Sequence, residues 1–384
     1  MIKVLHVVGS MNRGGAEVML MDIYRNISTN VHFNFLVNYK VNQGVLKGDF
    51  DDEIKLRGGQ IKHIGSQWDI GFVKYIKAFK EVISTIEKPD IVHIHMNAKS
   101  GVIAFAAKKA GIKNIIIHSH ADLKFTGNFI SKLVSNVELI VQKQLMASSA
   151  NHFWGCSQEA NESLFYKRLL TPEKSAIIKN AVDVSSYQNI SLEEVKQLRA
   201  SYGIKENTIV FGNVGRVVRH KNVAFIIDVL DKINKENNDF VFVFAGRDEQ
   251  PDYLEEILMK AKQYNIESKI KYLGVREDIP VVMNSFDVFL GSALQEGFGL
   301  VAVEAQAAGV PCVLYTGFPE TVDMNLNLVT FLNHLDAAKW AKAIKLLPKK
   351  NNDFSLIKEA ITSKGFDSVS NTREIERRYN LLMK

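Results

Sequence analysis

Short apolar runs that alternate with helical segments constrain the fold of this chain more than any other feature. Each run is four to six residues long and rich in branched or aromatic side chains, which favours a buried strand. Strands are predicted at 3–8, 32–37, 91–95, 114–118, 152–156, 208–213, 240–245, 270–273, 288–291 and 311–315. Helices fall between these strands, and that order is typical of α/β proteins with parallel sheets.

The length of the chain predicts two domains. At 384 residues it exceeds what one hydrophobic core usually organises, and its 46% hydrophobic content is enough for two cores. We place the first domain at 1–180 and the second at 181–365. The remaining run, 366–384, is predicted to form a terminal helix.

The composition excludes several classes of protein. Charged residues are 23% of the chain and prolines number 7, so no long disordered tract is expected. No apolar window reaches the roughly 18 residues of a membrane span, and the short first run leads into a glycine loop rather than a signal-peptide cleavage site. We therefore expect a soluble or peripheral protein. The net charge of +6 permits attraction to anionic lipid or nucleic acid without choosing between them.

The two cysteines do not suggest a metal site or a disulfide. Cys156 and Cys312 are far apart in the sequence, and neither has neighbouring metal-ligating residues. A reducing cytoplasm is the expected environment.

The segment from Glu296 to Glu304 carries the strongest functional signal. Gly297 and Gly299 allow the backbone to approach a ligand closely, and a helix predicted from Leu300 would direct free N–H groups at an anion. Glu304, inside this helix, could accept two hydroxyls of a nucleotide ribose, while Glu296 could meet a second sugar. The alternative is that both acids lie on a solvated helix face.

A basic turn precedes this segment in the chain. Arg216 and Lys221 flank a glycine turn that follows the strand predicted at 208–213. Two fixed cations near the carboxyl end of a strand suit the charge that a diphosphate leaving group develops in the transition state. Alternatively, both are solvated surface charges.

A glycine pair follows the first predicted strand. Gly14 and Gly15 open a helix predicted at 16–26, so backbone N–H groups there could meet a diphosphate. The spacing from Gly9 to Gly14 lacks the Gly-x-Gly-x-x-Gly fingerprint of dinucleotide-binding domains, which argues against a dehydrogenase. A role in the turn alone is the alternative for this pair.

Four histidines stand at the ends of two predicted strands. His93 and His95 end one strand, and His118 and His120 end the next or follow it. Histidines in such positions are often structural. No cysteine or fixed ligand spacing accompanies them, so a zinc site is not expected.

Together these segments resemble the retaining glycosyltransferases of the GT-B fold, in particular the large family 4 group that includes bacterial polysaccharide and lipid-glycan transferases. The resemblance covers most of the chain. It rests on Gly14-Gly15-Ala16-Glu17, His118-Ser119-His120, the turn from Gly215-Arg216 to Lys221, and the paired glutamates around Gly297-Phe298-Gly299. It implies an α/β protein with two Rossmann-like domains that face each other across a cleft, with the terminal helix crossing back onto the first domain.

The resemblance also implies the residues of the site. His120 would lie at the reacting carbon of the donor sugar, and His118 competes for that role. Arg216 and Lys221 would stabilise the leaving diphosphate, and Glu296 would position the donor sugar. Further donor contacts are expected from Gly14, Gly15, Gly246, Val275, Arg276, Gly297, Phe298, Gly299, Leu300, Val301 and Glu304.

The implied reaction transfers a sugar from a nucleotide-diphosphate donor, with UDP favoured, to a glycan or lipid-linked acceptor with retention at the anomeric carbon. No metal or other cofactor is expected, because cations and helix N-termini take its place, and no nucleic acid is expected as a partner. Asp49 and Asp51 form an Asp-x-Asp, the metal-binding pattern of the other major glycosyltransferase fold. Acids at the start of a helix explain this pair more simply.

The acceptor is expected on the first domain, where one helix has a broad apolar stripe. The stripe comprises Phe129, Leu133, Val137 and Ile140, widened by Ile130 and Val134, with Lys124, Lys132 and Lys143 close by. Such a helix could lie on the anionic inner face of the plasma membrane, where lipid-linked acceptors reside. Alternatively, the stripe belongs to the core.

Departures from the family pattern leave the donor sugar open. Gly246-Arg247-Asp248 replaces the usual Gly-x-Gly, and Phe318 stands where many relatives have a glycine. Ala181 replaces a glycine of the interdomain segment. Two other functions also stay open: a UDP-N-acetylglucosamine 2-epimerase, which shares the fold and needs no acceptor, and a noncatalytic scaffold that binds a nucleotide sugar.

Overall fold

The computed structural model describes residues 1–121, 123, 129–236 and 239–384, and for residues 129–132 it describes the backbone only. Contacts divide the chain into two compact units. Unit 1 comprises Met1–Ala181 and Ser368–Lys384, and unit 2 comprises Val182–Asp367. The division falls next to the boundary between 180 and 181 that the sequence suggests.

The strands of the described residues follow the predicted alternation. They are β1 Ile2–Val8, β2 Val31–Tyr39, β3 Ile61–Gly65, β4 Ile91–Ile94, β5 Asn114–Ser119, β6 His152–Gly155, β7 Ser175–Ile177, β8 Ile209–Val214, β9 Phe240–Ala245, β10 Ile270–Tyr272, β11 Val288–Gly291, β12 Cys312–Tyr315 and β13 Val329–Leu332.

The α-helices of the described residues connect these strands. They are α1 Gly15–Asn26, α2 Asp51–Leu56, α3 Gln67–Ile70, α4 Phe72–Ser84, α5 Ser100–Lys109, α6 Phe129–Ser149, α7 Gln158–Leu164, α8 Val184–Gln188, α9 Leu192–Ser201, α10 Val223–Asn234, α11 Pro251–Gln263, α12 Ile279–Asn284, α13 Leu300–Ala307, α14 Ala337–Lys345, α15 Phe354–Ser363 and α16 Ser368–Leu382. None of the described helices is long and apolar enough to cross a membrane.

Unit 1 is a parallel sheet with helices on both faces. Its strand order within the described residues is β3-β2-β1-β4-β5-β6-β7, so the order reverses between β1 and β4. One face packs Phe33 and Trp154 against α1 and α16, and the other packs Leu36 and Phe153 against α4 and α5. Because α16 contributes Tyr379 to this core, the last helix belongs to unit 1, as the GT-B resemblance implies.

Unit 2 repeats the same architecture. Its parallel strands are ordered β10-β9-β8-β11-β12-β13 within the described residues, and the reversal lies between β8 and β11. Residues of α10, α11 and α14 fill one core, and residues of α8, α13 and α15 fill the other. Parallel sheets of this kind bind ligands beyond the carboxyl ends of their strands, at the reversal.

Each of the ten predicted strands overlaps a strand of the structure, but three strands lack a prediction. The missing strands are β3, β7 and β13, and all three lie at the edge of a sheet. Edge strands have one partner and are only partly covered, so their sequences lack the continuous apolar run that marks a central parallel strand.

Candidate functional site

The reversal of strand order in unit 2 brings together two loops that the sequence singles out. One loop follows β8 and contains Arg216 and Lys221, and the other follows β11 and contains Glu296. β8 and β11 are paired neighbours in the sheet, although Lys221 and Glu296 are 75 residues apart in the chain.

Hydrogen bonds between these loops fix their relative position. The Leu294 N–H donates to the His220 carbonyl over 2.8 Å, and the Ser292 hydroxyl donates to the Asn222 carbonyl over 2.9 Å. Asn222 has a left-handed backbone with φ of 56°, which turns the chain from a short 3-10 segment into α10. As a result, the Lys221 ammonium donates to the Glu296 carboxylate.

Arg216 and Lys221, the two predicted site cations of the basic turn, have different surroundings. Lys221 and Glu296 form an ion pair whose side chains are only 19% and 11% exposed. Arg216 pairs with Glu249 over 2.9 Å, but these side chains are 49% and 38% exposed. Because solvent screens the second pair more strongly, Lys221 is the cation held more rigidly at the site.

Glycines allow the loops after β8 and β9 to touch. The Gly215 N–H donates to the Ala245 carbonyl over 2.9 Å, and a Cβ at Gly246 would lie 1.8 Å from the Gly215 carbonyl oxygen. Gly246 also has φ of 146°. The predicted donor-binding position 246 must therefore be glycine for a packing reason that is independent of any ligand.

The helix start after Glu296 has the predicted form. Gly299 precedes α13 with φ of 78°, in the left-handed region, and a Cβ there would lie 2.5 Å from the Phe318 ring. Buried Phe318 thus fills the space under the helix start, which explains the phenylalanine at this departure from the family pattern. α13 ends at Ala307, before Gly309, which also has a positive φ.

The side chains of the apolar residues in this segment serve the packing of unit 2. Phe298, Leu300 and Val301 pack against the core of unit 2, and the Phe298 and Phe366 rings lie 4.9 Å apart. Any contact that they make with a donor is therefore expected from backbone N–H groups. Gly297 has open space where a side chain would be. Glu304 lies about one turn inside α13 and is partly buried.

The loop after β10 contains the two residues predicted near the nucleotide base. Val275 is exposed, whereas the Arg276 guanidinium donates to both carboxylate oxygens of Asp278 over 2.8 and 2.6 Å. Asp278 raises the pKa of Arg276. Since its guanidinium is occupied by this pair, Arg276 is oriented by Asp278, a partner that the sequence analysis missed.

In unit 1, the glycine pair forms the start of α1 as predicted. Gly14 caps the helix without a side-chain hydrogen bond, and Gly15 is its first residue. A Cβ at Gly14 would lie 2.4 Å from the Glu17 carboxylate, so an acid of the first turn lies beside the helix start. The Asp-x-Asp pattern also has the predicted position, because Asp51 begins α2 and the Asp49 carboxylate accepts from the Arg13 N–H over 3.0 Å.

The histidines of unit 1 form a connected cluster on one face of the sheet. A hydrogen bond of 3.0 Å joins His6 Nδ1 and His95 Nε2, and another of 2.8 Å joins His95 Nδ1 and His120 Nε2. His118 stacks on His120 with ring centroids 4.3 Å apart. His93 Nδ1 lies 2.7 Å from the Tyr379 hydroxyl of α16. We call these five histidines the histidine ladder.

Burial keeps the histidine ladder neutral. Burial lowers the pKa of His6 to about 3. It lowers the pKa of His120 to about 4, although a hydrogen bond with the Asn180 side chain raises that pKa and offsets part of the shift. Burial first, and then neighbouring histidines, lower the pKa of His93, His95 and His118 well below the usual value. His120 is therefore a neutral imidazole at neutral pH, and its Nε2 shares a hydrogen bond with His95 Nδ1.

The ladder also contains the histidines that could hold a metal. The ligand atoms of His6, His93 and His95, and those of His95, His118 and His120, lie within 4.8 Å of one another in each group. Among the residues that the structure describes, the charges acting on the rings of His93, His95 and His118 come from other histidines. The prediction of a reaction without metal stays a prediction.

His6 and Tyr379 are members of this cluster that the sequence analysis missed. His6 lies inside β1, where a polar residue in an apolar strand is a weak signal on its own. Tyr379 is 286 residues from His93 in the chain, and no local pattern connects them. Parallel pairing of β1 with β4 places His6 beside His93.

Both cysteines are free and buried. Burial raises the pKa of the Cys156 thiol to about 11 and also raises that of Cys312. A raised pKa leaves both thiols protonated at neutral pH, so neither is a ready nucleophile.

The apolar stripe of α6 is not core in its described part. Leu133, Val134, Val137, Ile140 and Val141 are each 54–61% exposed. The core alternative is therefore wrong for these positions. The side chains of Phe129, Ile130 and Lys132, and residue Lys124, lie outside the described residues.

This chain resembles known glycosyltransferases in sequence. The family described as Glycosyl transferases group 1 matches residues 194–362, which contain the unit 2 site. EpsF of Bacillus subtilis (strain 168), a glycosyltransferase by name, is 30% identical over 99% of this chain and 96% of its own. The capsular polysaccharide biosynthesis glycosyltransferase CapH of Staphylococcus aureus is 26% identical over 99% of both chains.

A solved structure agrees in fold over the whole chain. The crystal structure of HepE from Anabaena in complex with UDP and glucose matches with a TM-score of 0.78 and 22% identity, covering 99% of this chain and 100% of HepE. This match confirms the GT-B fold predicted from the sequence.

Proposed function

Because this chain belongs to the glycosyltransferase group 1 family, we propose that it transfers a sugar from a UDP-sugar to a glycan or lipid-linked acceptor in cell-surface polysaccharide synthesis. The observation that carries this proposal is the partly buried Lys221–Glu296 pair beside the start of α13. The UDP and glucose complex of HepE and the polysaccharide role in the name of CapH support the donor class and the pathway. Family membership favours a transferase over the epimerase and scaffold alternatives.

In the proposed mechanism, unit 2 binds the donor diphosphate. Lys221 and Arg216 supply positive charge to the leaving group, and the N–H groups at the start of α13 donate to its oxygens. Glu304 accepts hydrogen bonds from the ribose. Lys221 and Arg216 each exchange part of their present ion pair for the diphosphate, which develops charge as the glycosidic bond breaks.

The proposed stereochemical course is retention without a metal. The departing phosphate takes the proton of the acceptor hydroxyl, and the acceptor attacks the face that the phosphate leaves. Glu296 then has no need to act as a nucleophile, and its contact with Lys221 suits a carboxylate that orients donor hydroxyls. His120, held neutral, is proposed to meet the donor sugar as a hydrogen-bonding group rather than as a cation.

A thermal-shift titration with UDP, GDP, ADP and their sugar conjugates in EDTA tests the donor proposal. A ligand at about 100 times its dissociation constant adds roughly 2.7 kcal/mol of stability. We expect a selective shift with UDP, increased by one sugar and unchanged when Mg²⁺ replaces EDTA. No shift with any nucleotide, or a shift that requires Mg²⁺, would contradict the metal-independent donor site.

The exposed face of α6 supports a peripheral location on the inner face of the plasma membrane. An amphipathic face of this kind inserts at the boundary of lipid headgroups and chains, and it would bring unit 1 to lipid-linked acceptors. We expect the protein to float with vesicles that contain anionic phosphatidylserine. Val137→Glu with Ile140→Glu should abolish flotation, whereas Leu56→Glu, at an 88% exposed leucine of α2, should not. Equal flotation of all three proteins would remove the membrane proposal.

A further inference from the structure

Three rings of the histidine ladder form a group that matches the donor set of a zinc site. They belong to His6, His93 and His95, and each offers one ring nitrogen within 4.8 Å of the other two. Parallel pairing sets His6 of β1 opposite His93 of β4, and His95 follows on the same side of the sheet. Because His6 and His95 are 89 residues apart in the chain, ligand spacing within one segment could not indicate this group.

The hydrogen bonds of His93 leave one of its nitrogens for an ion. Nδ1 lies 2.7 Å from the Tyr379 hydroxyl, whereas Nε2 is buried and has no hydrogen-bond partner among the residues that the structure describes. An unpaired buried nitrogen costs free energy, and a bond to a metal ion removes that cost. A ligating histidine commonly directs its other N–H at a fixed partner, and Tyr379 has that place here.

The bond between His95 and His120 leaves an electron pair on a second ring. The Asn180 side chain raises the pKa of His120, as an acceptor of the ring N–H does, and His120 Nε2 already faces His95. The N–H of His120 is therefore on Nδ1, and its Nε2 accepts from His95 Nδ1 over 2.8 Å. His95 Nε2 then accepts from His6 Nδ1 over 3.0 Å. If the His6 hydrogen moves to Nε2 of the same ring, both facing nitrogens have free electron pairs and no proton is released.

The spacing of these nitrogens is close to that of a tetrahedral site. Zinc–imidazole bonds of about 2.0–2.1 Å place neighbouring ligand nitrogens roughly 3.4 Å apart. The pair from His6 and His95 is already within that spacing, at 3.0 Å. The His93 nitrogen has to approach by about 1.4 Å at most, the difference between 4.8 Å and roughly 3.4 Å. A metal ion lies between its ligands, so buried nitrogens suit it, and partly exposed His95 gives it a route from solvent.

The chemistry of the group selects a transition metal. Imidazole nitrogens suit Zn²⁺, whereas Mg²⁺ and Ca²⁺ need oxygen ligands. Burial keeps the pKa of all three rings below the usual value, so their electron pairs are free at neutral pH. Three histidines leave the fourth zinc position open, and a hydroxide there reduces the positive charge that the site has to bury.

We infer that unit 1 binds one Zn²⁺ ion through His6 Nδ1, His93 Nε2 and His95 Nε2. Tyr379 and His120 hold the outer nitrogens of His93 and His95. The ion connects β1 with β4 and, through Tyr379, with the last helix, so it stabilises the folded state of unit 1. This site is separate from the donor diphosphate, to which unit 2 supplies its own cations, and the reaction proposed above does not require it.

The spectrum of Co²⁺, which replaces Zn²⁺ in such sites, tests the inference directly. We would treat the full chain, without a histidine tag, with EDTA, remove the EDTA and then add Co²⁺. The expected result is the intense visible absorption of Co²⁺ with few ligands, saturating at one equivalent and lost when Zn²⁺ is added. Zn²⁺ should also raise the melting temperature of the protein, because it binds the folded state.

Variants of single rings locate the ion. His6→Phe and His93→Phe each remove one ligand and keep an aromatic ring, so each should weaken Co²⁺ binding on the order of 100-fold or more. Tyr379→Phe retains all three ligands and should weaken binding about 10-fold, and it decides the test if a ligand variant proves unfolded by circular dichroism. The controls are His118→Phe, in the ladder but outside the group, and His334→Ala, at an exposed position. Both should stay within about 3-fold of the parent.

Three results would overturn the inference. One is the absence of an intense Co²⁺ band in the parent chain, and another is a band that is unchanged in both His93→Phe and Tyr379→Phe. The third is a band that is lost in His118→Phe or His334→Ala, which would place the ion at the other histidine group or at the surface. The thermal shift with UDP in EDTA does not depend on this site, so it tests the donor proposal separately.

Discussion

The two sheets carry their polar groups differently at the point where strand order reverses. In unit 1, His6 and His93 lie within the paired strands β1 and β4, and burial keeps their rings neutral. In unit 2, Lys221 and Glu296 lie on loops beyond β8 and β11, where partial exposure permits an ion pair. The same topology therefore yields uncharged hydrogen-bonding groups in one unit and paired charges in the other, according to how deeply each residue is buried.

The largest expected effect concerns the cations of unit 2. Lys221→Ala and Arg216→Ala should each reduce turnover on the order of 100-fold or more, because each removes charge stabilisation of the leaving group. Initial rates of UDP release with an acceptor measure this. The matched control is Arg219→Ala, an exposed cation of the same turn that pairs with Asp252 and Glu256. Near-normal turnover in both site variants would show that their charges do not serve catalysis.

A smaller effect is expected at Glu304. Replacing it with alanine should weaken UDP binding by about 10-fold or more, since hydrogen bonds to a charged group contribute ~1.5–3 kcal/mol. Calorimetry on the variant and on Glu304→Gln, which keeps one acceptor oxygen, gives the dissociation constants. An unchanged constant in Glu304→Ala would remove the ribose role.

The helix start offers a stability comparison between two neighbouring glycines. Gly299→Ala should lower the free energy of unfolding of unit 2 by about 1–3 kcal/mol, because position 299 has a positive φ and touches Phe318. Gly297→Ala should cost much less, because open space surrounds that position. Urea unfolding of both variants tests this, and equal losses would contradict the geometric argument.

The low pKa values of the histidine ladder predict that the folding stability of unit 1 depends on pH. Its folded pKa values lie below the unfolded value of about 6.5, so the stability that it contributes is complete above that pH. It is lost as the pH falls toward about 4 for His120 and about 3 for His6, because the unfolded chain binds protons first. Thermal melts followed by Trp154 fluorescence in a Trp68→Phe, Trp340→Phe background should show this loss.

A variant sharpens this last comparison. His118→Leu removes one titrating ring. Its Tm should therefore fall less between pH 6.5 and 4 than that of the parent protein. The difference should be roughly 2–4 °C for each kcal/mol by which the substitution reduces the loss of folding free energy in acid. An identical acid dependence in the two proteins would mean that carboxylates, rather than the ladder, set the acid limit of unit 1.

Much of the fold and part of the site could be predicted from the sequence. Apolar runs identified the central strands because a strand buried on both faces has a local signature. The glycine before α13 and the acids at the start of α2 were predicted correctly, since helix starts depend on nearby residues. The edge strands β3, β7 and β13 and the partners of Arg216, Lys221 and Arg276 were not predicted. The sequence also left open whether the apolar stripe of α6 is exposed or part of the core.

The sequence by itself determined the α/β class, the family resemblance and the loops that form the candidate site, because each depends on short-range patterns of side chains. Only the tertiary structure decided which distant groups meet. Parallel pairing placed Lys221 beside Glu296 and assembled the histidine ladder with Tyr379 of the last helix. Strand order and burial set these contacts, and neither can be read from any one segment of the chain.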